Sequence, residues 1–384
     1  MKLGFITPSA GENCRCEECS ISDEVTTPKQ EAEIGHSTVA IVLLNWNSRA
    51  DTLECLESVF RLDYPAFRVI LCDNASIDGS LEAVQDWADG RIVVAPASAA
   101  HAGLFVRSRP ATVSWRRRSW DEAKHADSEK APPELTLIDV GANVGFAGGN
   151  NVGIRYGLKC LRPDFFWLLN TDTIVAPDAL TALVERAARD RKVGTVGSSL
   201  IYYWKPDTVQ AFGGARLDRK TTLMSHIGDH RPISSIPHDE REVEAEMAYV
   251  IGASMLVSRP FVEQVGLMCE DYFLYYEEID WALRGKEQFT LAYAPGSRVF
   301  HKIGGASRRV ASTTSMRYLW RNRVRFVSRF MPEMLPGTLL NMTEHMIRAL
   351  LKGRFDLSWV IARALLDFRR LAAEGRDRHL GERS

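Results

Sequence analysis

The chain has 384 residues, of which 45% are hydrophobic and 25% are charged, and its formal net charge is -1. This composition is ordinary for a globular protein of one large or two moderate domains, and the balanced charge argues against a nucleic-acid-binding protein. The sequence shows no apolar run typical of a transmembrane helix and no secretory signal pattern, and its seven cysteines do not suggest a disulfide framework. These features predict a cytoplasmic protein.

Residues 1–36 are polar and show no sustained hydrophobic period, which predicts a disordered N-terminal tail. Cys14, Cys16 and Cys19 lie close together in this stretch. Their spacing lacks the second ligand pair of a zinc site, so a mobile tail is favoured over a metal or redox site.

Two apolar runs, at 39–44 and 67–72, each end in polar residues and are each followed by a helical pattern. Alternating strands and helices predict βαβ units and a Rossmann-like, mostly parallel sheet flanked by helices. Residues 91–134 interrupt this rhythm and carry three arginines between Trp115 and Trp120. We predict an insertion here, either a solvated loop or a contact for lipid or an anionic acceptor.

A continuous apolar run at 165–169 predicts a strand buried on both faces, and it ends at Asn170, Thr171 and Asp172. Open α/β sheets bind their ligands beyond the carboxyl ends of the strands. A carboxylate at that place suits a hard divalent cation, which in turn holds phosphates. The alternative is an ordinary loop aspartate before the next helix.

A glycine-rich stretch at 141–153 follows a predicted strand at 135–139. Glycines allow the backbone to approach a ligand, and the amides of a following helix attract phosphate. The spacing differs from the Rossmann dinucleotide pattern. Together with Asn170, the asparagines at 143, 150 and 151 indicate a polar ligand wall.

The segment 272–284 combines five aromatic residues with Glu277, Glu278, Asp280 and Arg284. An acidic first helical turn complements the helix dipole, which is a purely structural explanation. A carboxylate among aromatic side chains also gains basicity, as a general base requires. His301 follows the last predicted strand and is either structural or a second metal ligand.

From Met316 onward the pattern changes to long amphipathic helices, with a stripe of arginines at 317, 321, 325 and 329. Such a helix lies on an anionic membrane surface or packs on the domain with a solvated basic edge. The resulting domain prediction is a tail at 1–36, an α/β domain at 37–315 with an insertion at about 91–134, and a helical extension at 316–384.

Several of these motifs together resemble the inverting family 2 glycosyltransferases, and within them the rhamnosyltransferase-like branch. The resemblance covers residues from about 38 to 330. The motifs, in chain order, are Asn45-Trp46-Asn47, Asp73-Asn74-Ala75-Ser76, Asn143-Val144-Gly145-Phe146, Asn150-Asn151, Asn170-Thr171-Asp172, Glu277-Glu278-Ile279-Asp280 and His301. The fold that the resemblance implies is GT-A, a single Rossmann-like α/β domain with a nucleotide-binding half and an acceptor half.

The resemblance also implies roles for these residues. On the donor side, Asp73 would face the pyrimidine base, and the other donor-binding residues would be Asn45, Asn74, Asn143, Gly145, Asn150 and Asn170. Asp172 matches the last acid of the family's metal-binding Asp-x-Asp triplet, and His301 matches a metal ligand further along the chain. These matches imply bound Mg²⁺ or Mn²⁺. Glu278 matches the position of the family's catalytic base. The residues that match the acceptor side are Glu277, Asp280 and Arg284.

Two residues depart from the family pattern. Asn170 begins the triplet where an aspartate is usual, so that one metal ligand is neutral. Glu278 stands where the base is usually an aspartate. The extra methylene moves the carboxylate by roughly a bond length, and catalysis is sensitive to shifts of ~1 Å. Glu277 therefore competes with Glu278 for the role of the base.

The implied function is transfer of a sugar, rhamnose or similar, from a UDP- or dTDP-sugar to a hydroxyl of a glycan or lipid-linked acceptor. Cell-envelope polysaccharide synthesis is the implied process, in the cytoplasm or peripherally on the inner face of the membrane. A nucleotidyltransferase is an alternative, but it usually needs a basic loop near the first strand, where only Arg49 lies. A non-catalytic nucleotide-sugar-binding protein is the other alternative.

Overall fold

The structure is a computed structural model that describes residues 37–381 except 129, 238 and 304–312. The predicted tail with Cys14, Cys16 and Cys19, and the glycines that follow His301, lie outside the described residues. The elements of the first half, in chain order, are β1 (Val39–Asn45), α1 (Arg49–Val59), β2 (Phe67–Asp73), α2 (Ser80–Ala88), β3 (Trp115–Ser119), α3 (Trp120–His125), β4 (Leu135–Asp139), α4 (Gly145–Tyr156) and β5 (Phe165–Asn170).

The five strands of this half are parallel and lie in the order β3-β4-β2-β1-β5. This order confirms the predicted parallel βαβ architecture. The strands β1, β2, β4 and β5 alternate their side chains between two buried faces. On β1, Ile41 and Leu43 pack in the hydrophobic cluster of one face, whereas Ala40 and Val42 pack in that of the other. Burial on both sides explains why the strand sequences are continuously apolar.

The segment 91–134 contains an edge strand that the sequence did not reveal. β3 carries the three arginines and pairs in parallel with β4. Arg117 forms ion pairs with Glu82 and Asp139, at 3.1 and 3.2 Å. Charged side chains are common on edge strands, because they discourage pairing with other chains. The run of arginines therefore hid an edge strand within the predicted insertion.

The second half extends the same sheet. Its elements are β6 (Thr173–Val175), α5 (Ala179–Ala188), β7 (Val193–Tyr202), β8 (Val209–Phe212), β9 (Gly214–Asp218), β10 (Leu223–His226), α6 (Arg241–Glu246), β11 (Tyr249–Val250), β12 (Ser254–Ser258), α7 (Arg259–Val265), α8 (Glu277–Gly285) and β13 (Thr290–His301). β12 runs antiparallel between β5 and β7, and β13 pairs with β7 in parallel and with β6 in antiparallel fashion. β10, β9 and β11 form a separate three-stranded ribbon.

Four helices complete the described chain, namely α9 (Thr313–Phe330), α10 (Leu335–Leu351), α11 (Phe355–Leu366) and α12 (Phe368–Gly381). Much of the arginine stripe of α9 faces the domain. Arg325 donates a hydrogen bond of 2.7 Å to the carbonyl of Asp271, and Arg329 pairs with Asp280 at 3.0 Å. The described helices include none with both the length and the apolar character needed to cross a bilayer.

Candidate active site

A cleft of about 870 Å³ opens at the carboxyl ends of β1, β2 and β5. The parallel strands bring their polar ends to one edge of the sheet, as the sequence predicted. Of the predicted site residues, those that line the cleft are Asn74, Asn143, Gly145, Asn170, Asp172, Glu277, Glu278 and His301.

Asp172 and His301 meet on one wall of this cleft. Oδ1 of Asp172 lies 3.2 Å from Nε2 of His301, and both residues are buried. The second ring nitrogen of His301 lies 2.9 Å from Oε1 of Gln210 on β8. With this oxygen as the acceptor, Nδ1 carries the proton and Nε2 presents its lone pair toward Asp172.

This arrangement fits a divalent cation. Nε2 of His301 is buried and forms no hydrogen bond, although it lies beside a carboxylate oxygen. A carboxylate oxygen and an unprotonated imidazole nitrogen that face one another are a donor set for a metal ion. Within the described ranges, no group of three or more His, Cys, Asp or Glu side chains could hold a metal. A cation between Asp172 and His301 would therefore complete its coordination with substrate oxygens and water.

Two of the donor-side asparagines, Asn74 and Asn143, contact one another near the start of α4. Nδ2 of Asn74 donates to the carbonyl of Gly145 at 3.1 Å and lies 3.3 Å from Oδ1 of Asn143. Gly145 has a φ of +78°, and a Cβ at this position would collide with Phe273. The glycine is therefore required where the backbone of α4 approaches the loop that precedes α8.

Three predicted donor residues do not line the cleft. Asn45 donates to Asp73 Oδ1 at 2.6 Å, and the backbone amide of Ser76 donates to Oδ2 of the same carboxylate at 2.8 Å. Both side chains are buried behind the cleft wall, where they fix the ends of β1 and β2. Asn150 is buried in α4 and donates to the carbonyl of Phe146 at 3.0 Å.

Sequence reasoning missed two residues that shape the site. Trp46 lies between the two asparagines of its motif, lines the cleft and is 38% exposed. An exposed tryptophan in a cleft offers a flat surface on which a base or sugar can stack. Its position at the end of a predicted strand was a usable signal. Gln210 gave no such signal, because a lone glutamine on a short strand has no distinguishing pattern.

Glu277 and Glu278 both line the cleft at the start of α8. Glu278 is partly exposed, and its Oε1 accepts a hydrogen bond of 3.3 Å from the backbone amide of Gly252. Glu277 is 1% exposed and its Oε2 has no hydrogen-bond partner. Burial raises the pKa of both carboxyls above their ordinary value, and the neighbouring charge of Glu278 raises the pKa of Glu277 further. One of the two carboxyls is thus readily protonated, and the more accessible Glu278 can exchange a proton with a ligand.

The loop that presents these carboxyls is strained. Phe273, Tyr275 and Tyr276 have φ values of 62°, 68° and 81°, in the left-handed region that large side chains rarely occupy. Asn322 of α9 holds this loop, because its Nδ2 lies within hydrogen-bonding distance of the carbonyls of Tyr272, Leu274 and Tyr275. Backbone strain of this kind persists where the surrounding structure fixes it, and it is concentrated at functional sites.

Asp280 and Arg284 lie beneath the cleft rather than in it. Asp280 is fully buried and accepts hydrogen bonds from Arg284 (2.8 Å), Arg329 (3.0 Å) and the hydroxyl of Tyr272 (3.0 Å). Removing one partner of a buried charge network is strongly destabilising. The contacts of these two residues connect α8 with α9 and with the carbonyls of Val265 and Leu267, which holds α8 in place beneath the cleft.

Comparison with known proteins assigns the fold and site to a class. The sequence model of the family described as "Glycosyl transferase family 2" matches residues 40–103 and 114–266, which together make up more than half of the chain. The chain belongs to this family. The match confirms the resemblance drawn from the motifs, and it spans the segments that contain Asn74, Asn143 and Asp172.

Two curated relatives are similar over part of the chain. The low-salt glycan biosynthesis hexosyltransferase Agl10 of Haloferax volcanii is 27% identical over 40% of this chain and 47% of that protein. The N-acetylglucosaminyl-diphospho-decaprenol L-rhamnosyltransferase of Mycobacterium tuberculosis is 25% identical over 44% of this chain and 59% of that protein. The chain thus spans about half the length of these relatives.

A solved structure supports the fold. GalNAc-T7 in complex with UDP, GalNAc and Mn²⁺ superposes with a TM-score of 0.53 at 15% identity, covering 87% of this chain and 56% of that one. Together with the large, mostly parallel sheet, this likeness confirms the predicted GT-A architecture.

Proposed function

We propose that the protein is an inverting glycosyltransferase. It transfers a hexosyl group, such as rhamnosyl, from a UDP- or dTDP-sugar to a hydroxyl of an acceptor. The observation that carries this proposal is one cleft that holds both a candidate cation site, Asp172 with His301, and a candidate base, Glu278. The curated relatives, a hexosyltransferase and a rhamnosyltransferase by name, support the class of sugar.

Glu278 acts as the general base in this proposal. Its carboxylate takes the proton of the acceptor hydroxyl while the hydroxyl oxygen attacks the anomeric carbon and the nucleoside diphosphate departs from the opposite face. A single displacement of this kind inverts the anomeric configuration. Gly252 allows the arrangement, because a Cβ at this position would lie 2.8 Å from Oε1 of Glu278.

Asp172 and His301 would hold Mg²⁺ or Mn²⁺, and the bound cation would neutralise charge on the leaving diphosphate. Asn170, which also lines the cleft, is a neutral neighbour of this pair. Trp46 supplies a surface for the nucleotide base, and Asn74 and Asn143 frame the donor side.

The acceptor is a glycan or a lipid-linked glycan, and we propose that a membrane surface is contacted by α10 and α11. Their outward faces carry apolar side chains at helical spacing, with Leu351 81% and Trp359 63% exposed. The remaining exposed apolar side chains of these two helices are Leu340, Ile347, Leu350, Phe355 and Leu366. Residues 335–366 also contain four basic and two acidic side chains, which favours an anionic bilayer.

The deciding experiment measures consumption of nucleotide-sugars by the full-length protein with and without Mn²⁺. We expect one UDP- or dTDP-sugar to be consumed in a metal-dependent manner, and NMR of the product to show inverted anomeric configuration. Asp172→Ala should abolish the metal dependence. Asp178→Ala is the matched control, because this nearby aspartate pairs with Arg298 at 3.7 Å and does not line the cleft. Binding of a nucleotide-sugar without turnover, even with glycan acceptors added, would contradict the enzymatic proposal.

A further inference from the structure

Arg323 of α9 is a buried cation on the wall of the cleft. Its side chain lines the cleft, yet the residue is only 1% exposed. Nε donates to the hydroxyl of Thr222 at 3.1 Å, and Nη2 donates to Oδ1 of Asn341 at 2.8 Å and to the carbonyl of Thr221. All three acceptors are neutral.

Among the described residues, no carboxylate compensates the charge of Arg323. Within the described part of the chain, no acidic side chain forms an ion pair with Arg323, and its Nη1 is buried without a hydrogen-bond partner. The buried Arg329 differs, since it pairs with Asp280. An uncompensated buried charge is costly, which makes an anionic ligand the expected partner of such a residue.

The surroundings of Arg323 favour a phosphate. The guanidinium carbon lies 5.5 Å from the centre of the Trp320 ring, and Leu223, Met224 and Leu319 line the cleft as well. Apolar walls exclude water and strengthen a charge-assisted hydrogen bond. The planar guanidinium also matches the geometry of phosphate oxygens.

Arg323 is held by other elements than the candidate cation site. Its neutral partners come from the turn before β10 and from α10, whereas Asp172 and His301 lie at the ends of β5 and β13. α10 is also the helix whose outer face carries exposed apolar side chains. A group bound at Arg323 would thus lie between the carboxyls of α8 and the apolar outer helices.

We propose that Arg323 binds the phosphate group of a phosphate-linked lipid acceptor and so sets the place of the acceptor sugar relative to Glu278. This inference rests on the proposed glycosyltransferase function. In this arrangement the sugar hydroxyl points to the base, the phosphate contacts Nη1 of Arg323, and the hydrocarbon chain leaves past Trp320 toward the outer helices.

The test is calorimetric titration of the full-length protein with farnesyl diphosphate and with farnesol, in the presence of saturating UDP and Mn²⁺. We expect the diphosphate to bind at least ten-fold more tightly than the alcohol. Arg323→Gln should reduce diphosphate affinity at least ten-fold, and Arg323→Lys should restore part of it, since it keeps the charge. Arg191→Gln, at an exposed arginine between α5 and β7 and outside the cleft lining, is the control and should change nothing.

Two results would overturn the proposal. Equal affinity of the wild-type protein for farnesyl diphosphate and farnesol would do so even if the variants failed to fold. Loss of UDP binding in Arg323→Gln, with farnesyl diphosphate binding unchanged, would assign the residue to the donor phosphates instead. Neither titration depends on turnover, so failure of the glycosyltransferase proposal would be seen separately in the nucleotide-sugar assay.

Discussion

The imidazole of His301 faces the carboxylate of Asp172 because of one short strand. β6 begins directly after Asp172 and pairs antiparallel with the end of β13, where Thr173 lies opposite His301. The amide of Lys302 then donates to the carbonyl of Asp172 at 2.9 Å, which continues the ladder. Backbone pairing therefore places the two residues side by side, and Oδ1 of Asp172 lies 3.2 Å from Nε2 of His301.

We expect Gln210→Leu to weaken Mn²⁺ binding by 10- to 100-fold, the usual cost of losing the hydrogen-bonding partner of a metal-ligating histidine. The leucine would no longer accept a hydrogen bond from Nδ1 of His301, so the ring would lose its fixed tautomer and orientation. Titration of Mn²⁺ in the presence of UDP, followed by electron paramagnetic resonance, measures the change. Gln210→Glu keeps an acceptor oxygen and should bind Mn²⁺ nearly as tightly as the wild-type protein.

Glu278→Gln should lower the turnover number at least 10²-fold, because general base catalysis contributes ~10²–10⁴-fold. Donor binding should be unchanged, since the carboxyl lies on the acceptor side of the proposed site. Burial raises the pKa of Glu278, so the wild-type rate should begin to fall on the acidic side at a pH above the ordinary range of a glutamate. Glu263→Gln, at an exposed position of α7, is the control, and near-normal turnover of Glu278→Gln would exclude this residue as the base.

Glu277→Gln should stabilise the protein at alkaline pH. Burial and the charge of Glu278 raise the pKa of Glu277 well above the ordinary 4.5. The folded protein therefore retains a proton that the unfolded chain releases, and the free energy of unfolding falls as the pH rises from about 4.5 through the raised pKa. The free energy of unfolding changes by up to about 1.4 kcal/mol per pH unit in this range.

Urea unfolding at pH 4.5 and pH 8 measures this effect. The variant should match the wild-type protein at the lower pH and exceed its stability at the higher pH. Glu242→Gln, at an exposed glutamate of α6, should show no such difference. A Glu277→Gln protein that is less stable than the wild-type protein at pH 8 would show that the native carboxyl is ionised and paired.

Replacing Leu351 and Trp359 together with glutamate should reduce binding to anionic vesicles at least ten-fold. Each substitution removes exposed apolar area from the proposed membrane-contacting face and adds a charge that the bilayer surface repels. Sedimentation with phosphatidylglycerol-containing vesicles measures the bound fraction. Val93→Glu, at an isolated exposed valine, is the control, and equal sedimentation of all three proteins would refute the proposed surface.

The sequence by itself determined the sheet architecture and the edge at which the cleft opens. Hydrophobic runs such as 165–169 are local signals, and the polar residues that end them mark the carboxyl ends of parallel strands. These signals failed at β3, where arginines suit an edge strand.

Tertiary structure alone decided which of these residues share the cleft. Asn45, Asp73 and Asp280 are satisfied by buried partners, whereas Trp46 and Arg323 reach the cleft wall. These outcomes depend on strand pairing and helix packing between segments far apart in the chain. The local periodicity of hydrophobic residues carries no information about such contacts. The unpaired charge of Arg323 has the same origin. Within the described residues no carboxylate pairs with it, and this depends on which segments pack around it in the folded chain.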